Sequence, residues 1–208
     1  MTATPGSALR RVAVLSRPSG RLPPGIELAM LEDVYETVAG LDLVEPVLAL
    51  VPPDQPEAEL VTWPGTLVVR AERSRDAREV STVLAALATG MPTEGGAVLV
   101  VAGDAPDLPG LLVGKLFRAL GGAAVAVCPA ENGGLVALAA RLPLAPWLGP
   151  AGVGLDTDGA VDRLAAAAPR RGDLGLGPGW HRVREPADLS RLDPGLEGWG
   201  STREALRR

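Results

Sequence analysis

The chain has 208 residues, of which 47% are hydrophobic, and a formal net charge of −5 at pH 7. This length suffices for one buried core, so we predict a single domain over 1–208, with its core at about 10–170 and a loop-rich segment over 171–208. The acidic balance argues against nucleic acid as a partner, because phosphate backbones are bound by clustered positive charge, and no apolar run reaches the ~20 residues that a membrane span needs.

The cysteine content and the N-terminal region predict a cytoplasmic protein. Cys128 is the only cysteine, which excludes an internal disulfide and a cysteine-based zinc cluster. Arg10 and Arg11 are not joined by the long apolar block and cleavage site of a secretory signal. Lys115 is the only lysine, so a phosphate held by a side-chain cation would depend almost wholly on arginine.

The first half of the chain alternates between strand and helix patterns. Apolar runs at 11–15 and 46–51 predict buried strands, and 66–69 predicts a weaker one. Over 27–38 and 76–88, apolar residues recur at spacings of three and four, which predicts two helices with one buried face each.

The strongest strand signal lies in the middle of the chain. The segment 97–102 is almost entirely apolar, as expected of a strand covered on both faces. A helix is predicted over 109–120, and short strands over 123–127 and 135–139. Helices predicted after these strands are 160–168, 186–192 and 202–206. Strands that alternate with helices predict a three-layer α/β/α domain with a mostly parallel sheet.

A carboxylate follows the apolar strand directly, in Gly103-Asp104-Ala105-Pro106. In open α/β sheets, ligands bind outside the carboxyl ends of the strands. The glycine permits a tight turn, and an aspartate at this position is suited to hold a hard divalent cation against nucleotide phosphates. The alternative is a structural role, in which Asp104 caps the next helix or accepts hydrogen bonds from loop amides.

Two sequence blocks flank the predicted helix at 109–120. They read Val98-Leu-Val-Val-Ala-Gly-Asp-Ala-Pro-Asp-Leu108 and Cys128-Pro-Ala-Glu-Asn-Gly-Gly-Leu135. In order and separation, they resemble the Gly-Ser-Asp-x-Pro-x-Leu and Gly-Pro-Ala-Glu-Asp-Gly-Gly-Tyr blocks of an uncharacterised bacterial family of GT-A-fold transferases. That family is similar to 2-phospho-L-lactate guanylyltransferase and to sugar-nucleotide transferases. The resemblance therefore implies a GT-A (nucleotide-diphospho-sugar transferase) fold and a nucleotide or sugar-nucleotide substrate.

The resemblance assigns roles to the residues that match. Asp104 corresponds to the aspartate that holds Mg²⁺ or Mn²⁺ against the phosphates, and Glu131 to a carboxylate that orients a hydroxyl, so both are candidate catalytic residues. Gly103, Gly133 and Gly134 are candidate substrate-binding residues, because glycine lets the backbone approach a ligand closely. The alternative for the glycine pair is an ordinary turn between strands.

The chain departs from the family pattern in the second block and in the loop after the first strand. Asn132 stands where the family has aspartate, which weakens metal binding or acid/base chemistry there. The family loop, similar to Lys-x-Pro-x-Pro-Gly-x-x-Lys-Thr-Arg-Leu, is replaced by Ser16-Arg-Pro-Ser-Gly-Arg-Leu-Pro-Pro24. Arg17 and Arg21 remain candidate phosphate-binding residues, and the alternative is that both are solvated surface charges.

The C-terminal motif departs further. Where the family has Asp-Val-Asp-Thr-Pro-Glu-Asp-Leu, with a second metal-binding aspartate, this chain has Arg182-Val-Arg-Glu-Pro-Ala-Asp-Leu189. Both aspartates are thus arginines, which cannot ligate a cation and repel one. Glu185 is a possible substitute ligand. His181, the only histidine, is either a base near neutral pH or a structural residue, and no partner that would support the first role is visible.

Two functions from different classes follow. The first is a GT-A-like transferase of the glycosyltransferase or nucleotidyltransferase type, with Mg²⁺ or Mn²⁺ at Asp104 and a nucleotide or sugar nucleotide as substrate. The second is a non-catalytic relative that binds a nucleotide, a phosphate ligand or a protein partner. In that case, Arg182 and Arg184 would supply the charge of the lost metal. The fold alone does not distinguish the two.

Overall fold

A computed structural model describes residues 10–74 and 77–208. This part of the chain folds into one α/β domain with seven strands and six α-helices. The strands are β1 (Arg10–Ser16), β2 (Val44–Leu50), β3 (Leu67–Arg70), β4 (Ala97–Ala102), β5 (Val125–Pro129), β6 (Leu135–Arg141) and β7 (Leu174–Leu176). The helices are α1 (Pro24–Ala39), α2 (Pro56–Glu59), α3 (Glu79–Ala88), α4 (Gly110–Ala119), α5 (Ala160–Ala167) and α6 (Gly200–Ala205). None of the helices in the described ranges is long and apolar enough to cross a bilayer.

All seven strands form one sheet, in the order β3-β2-β1-β4-β6-β5-β7. Strand β6 runs antiparallel to its neighbours β4 and β5, and the other strand pairs are parallel. The antiparallel strand follows from the short turn between β5 and β6, because a parallel pair would need a longer crossover. The mostly parallel sheet predicted from the sequence is confirmed.

Successive side chains of the strands pack alternately into two apolar cores, one on each face of the sheet. Val12 and Val14 of β1 point into one core, and Ala13 and Leu15 into the other. Helices α1 and α4 cover the first face, and α3 and α5 cover the second. All six residues of β4 are buried, as its unbroken apolar sequence predicts. The structure is therefore the expected three-layer α/β/α arrangement.

Two short elements were not predicted. Helix α2 has four residues, and β7 has three, with Gly175 at its centre. Such segments are too short to show a periodicity. Strand β3 begins at Leu67 and not at 66. The helix predicted over 76–88 begins at Glu79 in the structure. Its predicted first residue, Asp76, lies outside the described residues.

After β7, the chain returns along the carboxyl edge of the sheet. The backbone N–H of Trp180 donates to Pro129 O at 3.0 Å, and that of Val183 donates to Asp104 O at 2.7 Å. Helix α6 is fixed to α1 by the buried carboxylate of Asp33, which accepts hydrogen bonds from the backbone N–H groups of Ser201 and Thr202. The segment between these anchors, including Arg182 and Arg184, is thereby held beside the end of β4.

Candidate functional site

A cleft opens at the carboxyl ends of β1 and β4, in front of the first turn of α1. Its larger part is a cavity of about 510 Å³ with mainly apolar walls. The apolar side chains that line it include Leu15, Leu28, Leu31, Ala58 and Val183. Cavities of this size and polarity accommodate small organic ligands.

A polar pair closes one side of the apolar cavity. Ser16 Oγ donates to Gln55 Oε1 at 2.6 Å, and Gln55 Nε2 donates to Pro52 O at 2.6 Å. Both residues line the cavity. A serine hydroxyl and an amide in a mainly apolar wall can select a ligand by its hydrogen-bonding groups.

The apolar cavity continues into a smaller one, of about 250 Å³, that is rich in positive charge. The two cavities share Arg17, Asp104 and Arg182 in their walls. The charged residues that line the smaller cavity are five arginines and two aspartates: Arg17, Arg21, Arg73, Arg182, Arg184, Asp104 and Asp156. A surplus of arginine in a cleft favours anionic ligands, and the planar guanidinium suits phosphate oxygens in particular.

Arg182 lies at the centre of this charged cavity, with its side chain only 4% exposed. Its Nε and Nη2 donate to the two oxygens of Asp104 at 2.6 and 2.7 Å. Its Nη1 donates to Asp156 Oδ1 at 2.7 Å and to the carbonyl oxygens of Leu135 and Leu155 at 3.2 and 3.1 Å. The pair with Asp104 is bidentate, the strongest geometry for a guanidinium and a carboxylate.

Asp156 also lies close to two other arginines, Arg17 and Arg184. Arg17 Nη1 forms an ion pair with its second oxygen, and Arg184 Nη1 lies 3.9 Å from its first. Burial lowers the pKa of both Arg17 and Arg184, and the positive charge of Arg182 lowers it further in each case. The arginines are thus partly desolvated beside one another, and a bound anion would offset that cost.

The backbone and Asn132 fix the position of Arg184. Arg184 Nη2 donates to the carbonyl oxygens of Asn132 and Gly133 at 2.7 and 2.9 Å. Asn132 Nδ2 donates to Arg182 O at 3.1 Å and to Asp188 Oδ1 at 3.2 Å. The asparagine that replaces the family's aspartate therefore joins the turn after β5 to the segment that carries both arginines.

The three glycines of the predicted site permit close packing. A Cβ at Gly103 would lie 2.7 Å from Leu31 Cδ1 and 2.9 Å from Leu15 O, so glycine lets α1 approach the sheet at the floor of the cleft. Gly133 and Gly134 have φ values of +91° and +78°, which favour glycine, and a Cβ at Gly134 would overlap the carbonyl oxygen of Leu155. The glycine pair lines neither cavity, which agrees with its interpretation as a turn.

Three candidate residues lie away from the cleft or at its rim. Glu131 is 56% exposed, lines neither cavity and lies 3.6 Å from Arg191. Glu185 is exposed and lies 3.7 Å from Arg21, so it does not replace a ligand beside Asp104. His181 is buried, with Nε2 3.0 Å from the buried carboxylate of Asp107. The position of Glu131 therefore does not support its predicted catalytic role. His181 has a carboxylate partner in Asp107, but it lines neither cavity.

The residues around Asp104 do not fit the divalent cation that was predicted there. Each Asp104 oxygen accepts a hydrogen bond from Arg182, whose guanidinium lies between Asp104 and Asp156. No group of three or more His, Cys, Asp or Glu side chains within 10–74 and 77–208 is placed to hold a metal ion. A cation beside Asp104 would be repelled by a buried guanidinium that already binds both oxygens of the same carboxylate.

Three residues of the site escaped the sequence interpretation: Gln55, Arg73 and Asp156. Asp156 belongs to Leu155-Asp156-Thr157-Asp158, an acidic pair after a glycine-rich loop, and this composition is the one signal that could have indicated it. Gln55 and Arg73 follow β2 and β3, so the rule that ligands collect at the carboxyl ends of parallel strands would have included both.

The sequence matches the family model described as the MobA-like NTP transferase domain over residues 25–181. No curated protein matches it. The matched range includes Asp104, Gly133 and Gly134, and it begins after Arg17.

Solved structures of similar fold extend over nearly the whole chain. A protein from Desulfovibrio desulfuricans, assigned as a nucleotide-diphospho-sugar transferase, is similar with a TM-score of 0.68 and 17% identity, over 97% of this chain and 96% of that one. A 4-diphosphocytidyl-2C-methyl-D-erythritol synthase from Anaerococcus prevotii is similar with a TM-score of 0.64 and 14% identity, over 97% of both chains. Rv0371c from Mycobacterium tuberculosis, in complex with manganese, is similar with a TM-score of 0.55 and 17% identity, over 91% of this chain and all of that one. These likenesses confirm the predicted fold class.

Proposed function

The chain belongs to the MobA-like NTP transferase domain family, and from this premise we propose that its cleft binds a nucleotide or sugar nucleotide, with the phosphates on the arginines. Membership of the family supports a function of the nucleotidyltransferase type. The observation that carries the proposal is the continuity of an apolar cavity with an arginine-lined one at the carboxyl edge of the sheet.

The apolar cavity suits the nucleoside. A nucleobase presents flat apolar faces with a few polar edges, and the walls offer leucine and valine side chains with the Ser16 and Gln55 pair on one side. Burial of the nucleoside faces supplies affinity, and the polar pair supplies selectivity among bases.

The arginine-lined cavity suits the phosphates. Arg17, Arg73 and Arg184 present positive charge to its interior, and Arg21 lies at its rim with a side chain that is 69% exposed. The buried Arg182 adds positive charge to the wall, and Asp104 holds the Arg182 guanidinium in place. Arginines placed in this way would also stabilise negative charge that develops on a transferred phosphoryl group.

Binding without transfer is the second candidate. The Asp104 carboxylate, to which the sequence analysis assigned a metal ion, forms a bidentate pair with Arg182, and Glu131 lies outside the cleft. These two positions favour a nucleotide-binding protein that has lost the family's chemistry. Transfer to an acceptor, followed by the release of pyrophosphate or of a nucleoside diphosphate, separates the two candidates.

The test is ligand-dependent stabilisation of the purified chain. Nucleoside triphosphates and sugar nucleotides are titrated in a thermal unfolding assay, with pyrophosphate as a competitor. At a ligand concentration of about 100 times Kd, we expect the free energy of unfolding to increase by roughly 2.7 kcal/mol. If neither nucleotides nor sugar nucleotides stabilise the protein, the proposed function is wrong.

A further inference from the structure

We infer that Arg182 is a built-in cation that takes the place of a divalent metal ion, so that the cleft binds phosphate without metal. This inference rests on the proposed nucleotide binding only for the identity of the ligand. The replacement of an ion by the guanidinium is a separate claim about the protein alone.

The surroundings of the Arg182 guanidinium are those of a bound cation. Two carboxylates and two backbone carbonyls converge on it, from Asp104, Asp156, Leu135 and Leu155. Oxygen donors of these kinds are the ligands that hard cations prefer. Here the same oxygens accept N–H hydrogen bonds between 2.6 and 3.2 Å.

The guanidinium belongs to the chain and cannot dissociate from the site as a metal ion can. Its side chain is almost fully buried. Its Nη2 carries two N–H groups, and the hydrogen bonds among the described residues engage Nη2 only with Asp104. Arg182 also lines the charged cavity. Arg17 and Arg184 lie beside it on the same wall. A phosphate that enters the cleft therefore meets positive charge that is already in place.

The positive charge of the cleft determines whether a divalent metal ion strengthens or weakens the binding of a nucleotide. A magnesium ion bound to a triphosphate neutralises part of the ligand's charge before it reaches a cleft that is itself positive. The attraction to the arginines is then weaker. We expect the metal-free nucleotide to bind at least as tightly as its magnesium complex, the reverse of what a metal-bridged site requires.

The first experiment measures the affinity of the wild-type chain for nucleoside triphosphates by calorimetry, once in EDTA and once in saturating Mg²⁺. The expected result is equal or tighter binding in EDTA. Binding about tenfold weaker in EDTA, equivalent to about 1.4 kcal/mol, would overturn the inference. If no triphosphate binds in either buffer, the proposed function fails, and the second experiment still decides the inference.

The second experiment uses Mn²⁺ alone, without nucleotide, and follows free Mn²⁺ by electron paramagnetic resonance. We expect no stoichiometric binding by the wild-type chain. Arg182→Ala uncovers the Asp104 and Asp156 carboxylates and should gain one Mn²⁺ site, which the double variant Arg182→Ala with Asp104→Asn should lose. A Mn²⁺ site in the wild-type chain that Asp104→Asn abolishes, or a folded Arg182→Ala without a site, would contradict the inference. Should Arg182→Ala not fold, the wild-type Mn²⁺ titration and the EDTA comparison still decide it.

Discussion

The guanidinium of Arg182 bridges two carboxylates from separate parts of the chain, because its Nε lies 2.6 Å from Asp104 Oδ1 and its Nη1 lies 2.7 Å from Asp156 Oδ1. A buried ion pair of this kind adds little net stability when it is complete, since desolvation offsets most of the attraction. Loss of one partner is costly, because the other charge is then left buried.

Asp104→Ala should therefore destabilise the protein. The substitution removes the acceptors of two Arg182 nitrogens and leaves Asp156 as the one remaining carboxylate partner. We expect the free energy of unfolding in urea to decrease by about 3 kcal/mol. Asp162→Ala, at an exposed position of α5, is the matched control and should change it by less than about 0.5 kcal/mol. Equal effects of the two substitutions would show that the buried pair is not structurally important.

Gly134→Ala should disturb the site through the backbone. The residue has a φ of +78°, and its new Cβ would overlap the carbonyl oxygen of Leu155, which is an acceptor for Arg182. Gly159→Ala is a matched control, because Gly159 has a φ of +65° and open space around it. We expect about 1 kcal/mol of destabilisation for Gly159→Ala and clearly more for Gly134→Ala, measured by thermal unfolding. Similar losses would mean that the turn yields without moving Leu155.

Removal of single arginines from the charged cavity should weaken nucleotide binding. Arg73→Ala and Arg184→Ala each remove a cation that lines it, and we expect about a tenfold increase in Kd for each, since hydrogen bonds to charged groups contribute roughly 1.5–3 kcal/mol. Arg170→Ala is the control, because Arg170 is 84% exposed, pairs with Asp173 and lines neither cavity. A calorimetric Kd that none of the three changes would place the phosphates elsewhere.

The thiol of Cys128 should be inert in the folded protein. Cys128 belongs to β5, its side chain is buried in the core on one face of the sheet, and burial raises the pKa of the thiol to about 12. At pH 8, the thiolate that reacts with disulfide reagents is therefore almost absent. We expect the rate of labelling to follow global unfolding in urea, which a single cysteine reports without ambiguity. Rapid labelling in buffer would show that β5 opens locally.

The sequence predicted the mostly parallel sheet because the signal for its strands is local, and the signal for the candidate site at Asp104 is local too. The unbroken apolar run of β4 and the Gly103-Asp104 step after it appear in a few consecutive residues. The partner of Asp104 cannot be found in this way, because Arg182 lies 78 positions away and its contact with Asp104 depends on the path of the C-terminal segment. Replacement of aspartate by arginine was visible at 182 and 184, but only the fold shows that Arg182 inserts between two carboxylates.

Glu131 shows a different limit of sequence interpretation. Its block matched the family pattern, yet the turn between β5 and β6 directs its side chain to solvent and to Arg191. Asp156 belongs to no matching block and nevertheless contacts three arginines. Side-chain direction in turns depends on long-range packing, which a motif of eight residues does not contain.

The order of residues along the chain gives the Arg182 contact a consequence for biosynthesis. The ribosome makes Asp104 and Asp156 before it makes Arg182. A nascent chain that ends before position 182 therefore holds both acidic groups without the arginine that neutralises them. Completion of the charged cavity is for this reason a late event, and a chain that terminates early lacks the binding surface even where its central strands have paired.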